Sequence, residues 1–416
     1  MRNRYTLWSY TAGAAAARTG DEMSGPALML AGLAATGSAA AGSFLLAGIT
    51  VTAAVGGPPL GAVLDRSPRP GLALACALAG YATALIVVLA ILGRVPLAVP
   101  VAVAVGAGLL GPALSGGWTS QLPRVVPPDG LPRANALDAM TYNVAGLVGP
   151  ALAGAVTGTA GATGAVVASA LLILIALPAC SIALPACSVA LPSASGAGVR
   201  NPEPVAATLA AGFRALVHTP SLTRATAVSV ISCAGQGMLI ACVPPLGLRA
   251  FGSADRGTML LAVLAGAALA ANATLSRRPA RWRPDSVIAA STAVLAVALV
   301  LAASCHPVAL AGAAVLAGLG EGPQLTALFA VRHREAPEGM RGQVFTTGAS
   351  LKITAFALGA ALAGLLVDLS LPGTLLTAAG LQGLALLTYA LLTRPSTPPL
   401  KPRQDHDPGR RSGRRW

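Results

Sequence analysis

Apolar runs of about twenty residues recur along the whole 416-residue chain, separated by short polar joints, and this spacing predicts membrane-spanning helices. Such runs lie at roughly 7–36, 43–64, 71–93, 96–118, 136–158 and 163–185. A polar, Pro- and Gly-containing stretch follows, and then runs at roughly 225–248, 257–275, 286–304, 307–330, 343–367 and 373–393, twelve in all. A lipid-facing barrel would instead show alternating strands of about ten residues; these runs are twice that length and rich in Ala, Leu and Gly. Arg18, Asp21 and Glu22 interrupt the first run where a leader would be cleaved, and eleven more runs follow, so it reads as a span. The expected fold is an all-α integral membrane protein of twelve helices in two six-helix bundles.

Composition agrees with the pattern: 55% of residues are hydrophobic and only 10% charged, with a mean hydropathy of +0.71. The net charge of +14 is placed unevenly. With the N terminus drawn inside, 23 of the 28 basic residues fall in loops and tails on that side, which puts both termini in the cytoplasm. The same placement argues against a nucleic-acid partner, since no aromatic residues interleave with the basic ones. Heavy use of Ala, Gly and Arg, with two lysines, suggests a GC-rich bacterial genome and hence a bacterial cell membrane, with the chain a monomer in the bilayer.

The two halves repeat. Gly149–Gly154 reads GPALAG and Gly359–Gly364 reads GAALAG, while Pro128-Asp129-Gly130 recurs as Pro337-Glu338-Gly339. This divides the chain into an N-terminal bundle (1–191), a Pro-containing cytoplasmic linker (192–224), a C-terminal bundle (225–395) and a disordered basic tail (396–416). The heptad ALPACSI at 176–182 recurs at once as ALPACSV, a local duplication with no assigned role.

After the second run the sequence reads GPPLGAVLDRSPRP, a GxxxDRxxR pattern formed by Gly61, Asp65, Arg66 and Arg69. Glycine lets two helices approach closely, and an acid flanked by arginines at a membrane surface can make a charge network that breaks and re-forms. Leu131–Gly154, LPRANALDAMTYNVAGLVGPALAG, and Glu335–Phe345, EAPEGMRGQVF, are two further signatures. On these stretches the chain resembles the major facilitator superfamily over nearly its whole length, and more narrowly its bacterial exporters of drugs, antibiotics and siderophores. The resemblance implies alternating access between two bundles, with Gly61, Asp65, Arg66 and Arg69 as a cytoplasmic gate. It also implies an exporter motif in the fifth helix, of which Gly149, Pro150 and Gly154 match while Ala153 and Ala145 replace glycines. The fourth span has no arginine at its middle, unlike many proton-coupled relatives.

A charge at the bilayer centre costs about 2.5–3.5 kcal/mol on insertion scales, so buried ionisable residues are expected to face a bundle interior. Arg18, Asp21 and Glu22, at i, i+3 and i+4, can share one helix face. One guanidinium cannot compensate two carboxylates, so the leftover acid is the proton-coupling candidate; the alternatives are a structural pair of Arg18 with Asp21 or Glu22, or a triad near the cytoplasmic surface instead of deep in the span. Glu321 in the tenth run either binds a cationic substrate or satisfies a local Gly–Pro helix break. Tyr142, Asn143, Gln236 and Gln324 are candidate cavity residues, and helix-to-helix hydrogen bonds explain them, like Asn272, equally well. Lys352 reads as stabilising Glu321 or snorkelling to the surface, the latter preferred. Asp138 and Trp118 read as interfacial.

Enzyme chemistry finds no support: the six cysteines form no CxxC, the histidines are scattered, and there is no GxxxxGK[ST] loop. No metal or cofactor is expected. The energy source is a proton gradient, and the expected activity is export of a small molecule by proton antiport. An importer of the same fold, and more remotely a membrane enzyme or scaffold, remain as alternatives.

Overall fold

The computed structural model describes residues 2–183, 205–277, 282–337 and 339–393; the repeated heptad beyond Ala183, residues 192–204 of the expected linker and the tail from 394 lie outside these. The described chain is helical throughout, with no strand. Helix α1 (Arg2–Thr36) is followed by α2 (Ala39–Val51) and α3 (Ala53–Arg66), which form one bent span. At the bend the Thr52 hydroxyl donates to the Val105 carbonyl at 2.6 Å, tying this span to the fourth. Helix α4 (Pro70–Ile91) returns, and α5 (Ala98–Gly108) continues through a widened π turn at Ala113–Gly117.

Helix α6 (Leu131–Ile175) is two spans joined at Gly161, whose φ of 76° and ψ of 170° reverse the chain. An L side chain rarely adopts that φ, so glycine is what permits the turn. Hairpin geometry also explains how α1 packs against both arms at one level: Gly149 lies on Glu22, and the Ser169 hydroxyl donates to the Gly20 carbonyl at 2.7 Å. Helix α7 (Leu177–Ala183) ends the first half as described.

Part of the segment expected as linker is helical: α8 (Val205–His218) precedes α9 (Pro220–Phe251). Helices α10 (Ala254–Arg277), α11 (Pro284–Ala302), α12 (Pro307–Glu335), α13 (Arg341–Leu366) and α14 (Leu371–Leu392) complete the chain. Ten helical stretches are long and apolar enough to cross a membrane by composition. One of these is the α6 hairpin, which crosses twice, and α1 falls short of that apolarity because Arg18, Asp21 and Glu22 interrupt it. Among the described residues the candidate crossings therefore number twelve, as the sequence pattern predicts.

Successive crossings alternate between two ends. One end, here the basic end, carries Arg66, Arg69, Arg124, Arg133, Arg277, Arg283, Arg334 and Arg341 at its joints. Side chains such as Phe44, Ile175, Val308 and Leu365 point outward along the spans and stay exposed, as a lipid-facing surface requires. Each half has its own buried core: Leu78, Leu85, Leu114 and Trp118 in the first, Met238, Leu246, Leu299 and Leu375 in the second. A small aromatic cluster bridges them, in which Ala139 and Tyr142 of α6 pack with Phe329 of α12 and Phe345 of α13.

Candidate functional site

The halves are tied together at the basic end. The Asp65 carboxylate accepts from the Gly342 N–H (2.7 Å) and the Gln343 N–H (2.8 Å), the free donors of the first turn of α13. A carboxylate there gains charge-assisted hydrogen bonds and a favourable helix dipole together. Gly61, one turn earlier, lies against Gln343 and Thr346, where an added Cβ would strike the Gln343 backbone. The Thr346 hydroxyl donates to the Gly57 carbonyl and the Ser350 hydroxyl to the Ala53 carbonyl, both at 2.6 Å. Arg66 and Arg69 are exposed at the joint, where the Ser67 hydroxyl oxygen accepts from the Arg69 N–H. Gln343 also donates through its side chain to the Leu209 carbonyl at 3.2 Å, so α8 grips the same residue that Asp65 holds.

Inside this closure lies a buried charge cluster that corrects several sequence expectations. Arg18 pairs with Asp138, 2.9 Å away and 120 residues on, and not with Asp21 or Glu22. Asp138 is therefore a buried interior acid and not an interfacial one. The Arg18 side chain points back toward the start of α1, as helical side chains do, and so reaches the level of Asp138. Its guanidinium also donates to Thr119 (2.9 Å) and Thr141, and lies 3.8 Å from the Tyr142 ring centroid. The Thr119 hydroxyl donates to Asp138 at 2.8 Å, and the Tyr10 hydroxyl lies between the Trp118 carbonyl (3.0 Å) and Asp138 (3.3 Å). Trp118 itself is 1% exposed, packed against Tyr10 and Gly13, and is thus a core residue instead of an interfacial anchor. The Thr119 carbonyl accepts from His333 Nε2–H at 3.1 Å, carrying the cluster across to the second half.

With Arg18 committed to Asp138, neither Asp21 nor Glu22 forms an ion pair among the described residues. Asp21 accepts from the Tyr81 hydroxyl of α4 at 2.8 Å. Glu22 is exposed. Gly20, on the opposite face, packs on Ser169 and Ile173 of α6, while Gly25 packs on Leu46 of α2 and Glu22 on Gly149. At about 100° per residue, Glu22 thus points between the second and fifth spans, toward the other half. The repeat places an equivalent contact there, Gly359 against Ala234, so the position matching Glu22 carries no acid.

In the second half Glu321 is partly exposed and feels the Lys352 ammonium without forming an ion pair with it. Lys352, like Glu321, is partly exposed. Gln324, expected as cavity lining, is 2% exposed: it donates to Ser232 (3.1 Å) and Thr292 (2.9 Å) and accepts from Gln236 (3.3 Å). Asn272 accepts from Thr326 at 2.9 Å. These amides join helices. Tyr142 and Asn143 are half-buried, Tyr142 at the bridging cluster. Of the expected exporter motif, Gly149 is buried on α1, whereas Pro150 and Gly154 are exposed. Sequence reasoning passed over Arg332 and His333, both buried where the halves meet; their place in a span a few residues from a polar joint was the available signal.

Comparison with known proteins agrees with this architecture. The family model described as Major Facilitator Superfamily matches residues 10–352. An uncharacterized MFS-type transporter of Sinorhizobium fredii is 28% identical over 294 residues, covering 70% of each chain. A bacterial homologue of the iron transporter ferroportin, crystallised in an outward-facing state, superposes with a TM-score of 0.73 at 17% identity, covering 93% of this chain and 99% of that one. The human organic anion transporter MFSD10 gives 0.65 at 16% identity, with the same coverage. At such identities the structural likenesses speak for the fold alone.

Proposed function

The chain belongs to the major facilitator superfamily, a transporter family and not an enzymatic one, and from that premise we propose that it exports a small molecule from a bacterial cell by proton antiport. The basic end is cytoplasmic and both termini lie there, following the excess of arginine in its joints. In this state Asp65, on the first turn of α13, holds the basic end closed. Transport requires the halves to rock so that this contact breaks and the opposite side closes.

The single observation that carries the coupling is the commitment of Arg18 to Asp138. It leaves Glu22, exposed, and Asp21, which accepts from the Tyr81 hydroxyl, as acids within the spans that form no ion pair among the described residues. Such groups are costly as anions in a low-dielectric site and become acceptable when protonated or wetted, the behaviour a proton carrier needs. The driving force is the proton gradient, whose electrical part supplies about 2.3 kcal/mol per charge per 100 mV.

The test is expression in an efflux-deficient host, with export screened across cationic drugs, antibiotics and siderophores, with and without a protonophore. Energy-dependent loss of at least one compound, abolished by the protonophore, is expected. Proton-dependent accumulation would instead establish an importer of the same fold and refute export.

A further inference from the structure

Among the described residues two arginines are fully buried, and only one of them has a carboxylate. Arg18 has Asp138; Arg332, 2% exposed, has none, and its Nε and Nη2 groups are buried without a hydrogen-bond acceptor. The half-buried Arg224 and the more exposed Arg334, on the same side of the molecule, share Asp285, so carboxylates are supplied where the charge needs compensation least. Arg332 sits in the seam. Its guanidinium lies on Gly348 of α13, where an added Cβ would collide with it, and 5.8 Å from the Phe345 ring. The titratable groups facing it are the Tyr142 phenol of the other half and the neighbouring His333, neither of them an anion. Gly348 thus makes room for a charge that the closed state leaves unsatisfied.

An arginine cannot shed its proton, and a buried, unpaired guanidinium disfavours the state that buries it. Parting the halves at the basic end would take Tyr142 away from Phe329 and Phe345, which stay together, and would uncover Arg332 on α12 beside them. Its planar fork of N–H donors matches a carboxylate or phosphate bidentately. We propose that Arg332 is the recognition residue for a soluble oxyanion in the state open at the basic end, so that the transported compound carries a carboxylate or phosphate group. Closure strips the fork of its partner and passes the compound toward the middle of the bundle. The inference rests on the alternating-access reading and not on the direction of transport.

The test uses the full chain in phosphatidylcholine nanodiscs with Asp65→Asn to release the basic end. Calorimetric titrations use citrate, salicylate and glucose 6-phosphate, with tetraphenylphosphonium as the cationic control. At least one anion should bind, and Arg332→Gln should weaken it tenfold or more, while Arg332→Lys, which keeps the charge without the fork, should fall between. Should Arg332→Gln fail to fold, Arg332→Met fills the same space without a polar atom and carries the same expectation. Absence of anion binding by the Asp65→Asn chain, or equal affinity in the uncharged variant, overturns the proposal. A chain that binds anions through Arg332 yet exports nothing from cells refutes the export reading and leaves this one standing.

Discussion

Asp65→Asn is the perturbation with the clearest expected magnitude. The carboxylate accepts two charge-assisted hydrogen bonds, 2.7 and 2.8 Å long, from consecutive N–H groups of α13. Each is worth about 1.5–3 kcal/mol, and the carboxylate gains a further 0.3–1 kcal/mol or so from the helix N-terminus. Asparagine keeps one acceptor but turns its own N–H2 toward the second donor, so one bond and the charge are lost. The site is only half-buried, and solvent screening favours the lower part of the range, so the closed state should lose about 2–4 kcal/mol relative to the open one. At tenfold per 1.4 kcal/mol this shifts the equilibrium about 30- to 700-fold. Nitroxide pairs at positions 133 and 277 report the basic end, and pairs at 38 and 253 the opposite end, by pulsed electron resonance in nanodiscs. The parent should give a short distance at the first pair. Asp65→Asn should add or switch to a longer one there, with the second pair shortening in step. Unchanged distributions at both pairs would refute the latch.

The remaining predictions concern the seam and the buried charges. Gly61→Val should open the basic end at least as far as Asp65→Asn, because its side chain overlaps the Gln343 backbone; the same spin-label pairs report it. Asp138→Asn strands the Arg18 charge and should destabilise the protein by about 3–5 kcal/mol, seen as a lowered thermal midpoint. Adding Arg18→Gln should recover part of that loss, whereas simple additivity would mean the pair is not coupled. Glu22→Gln and Asp21→Asn, tested singly in proton-loaded vesicles with a compound found by the export screen, should differ from the parent in at least one case. Normal proton-dependent transport by both would discard them as proton carriers.

The fold was legible because a bilayer imposes length and apolarity on every span, and the repeat of GPALAG as GAALAG marked equivalent helix contacts. Asp65 and Gly61 were legible for a local reason: a short motif at a span end must meet a surface. Arg18 was recognised as an interior charge, but its partner was not, since helical spacing ranks Asp21 and Glu22 first while Asp138 lies 120 residues away. Position near a span end likewise misplaced Asp138 and Trp118, because Tyr10 and Arg18 of the 35-residue α1 pack over them. Spacing also left open whether Gln324 lined a cavity or joined helices, a matter set by the partners Ser232 and Thr292 on other spans. The α8 helix was hidden by the prolines before it.

The account turns on carboxylates reached by water from one side at a time. In a chain freed of its six cysteines, Glu22→Cys should react with a membrane-impermeant thiol reagent applied from the side opposite the basic end, and not from the basic side. With Asp65→Asn added, the preference should reverse or become two-sided. A thiol unreactive from either side, or one labelled from the basic side while Asp65 is intact, would contradict it.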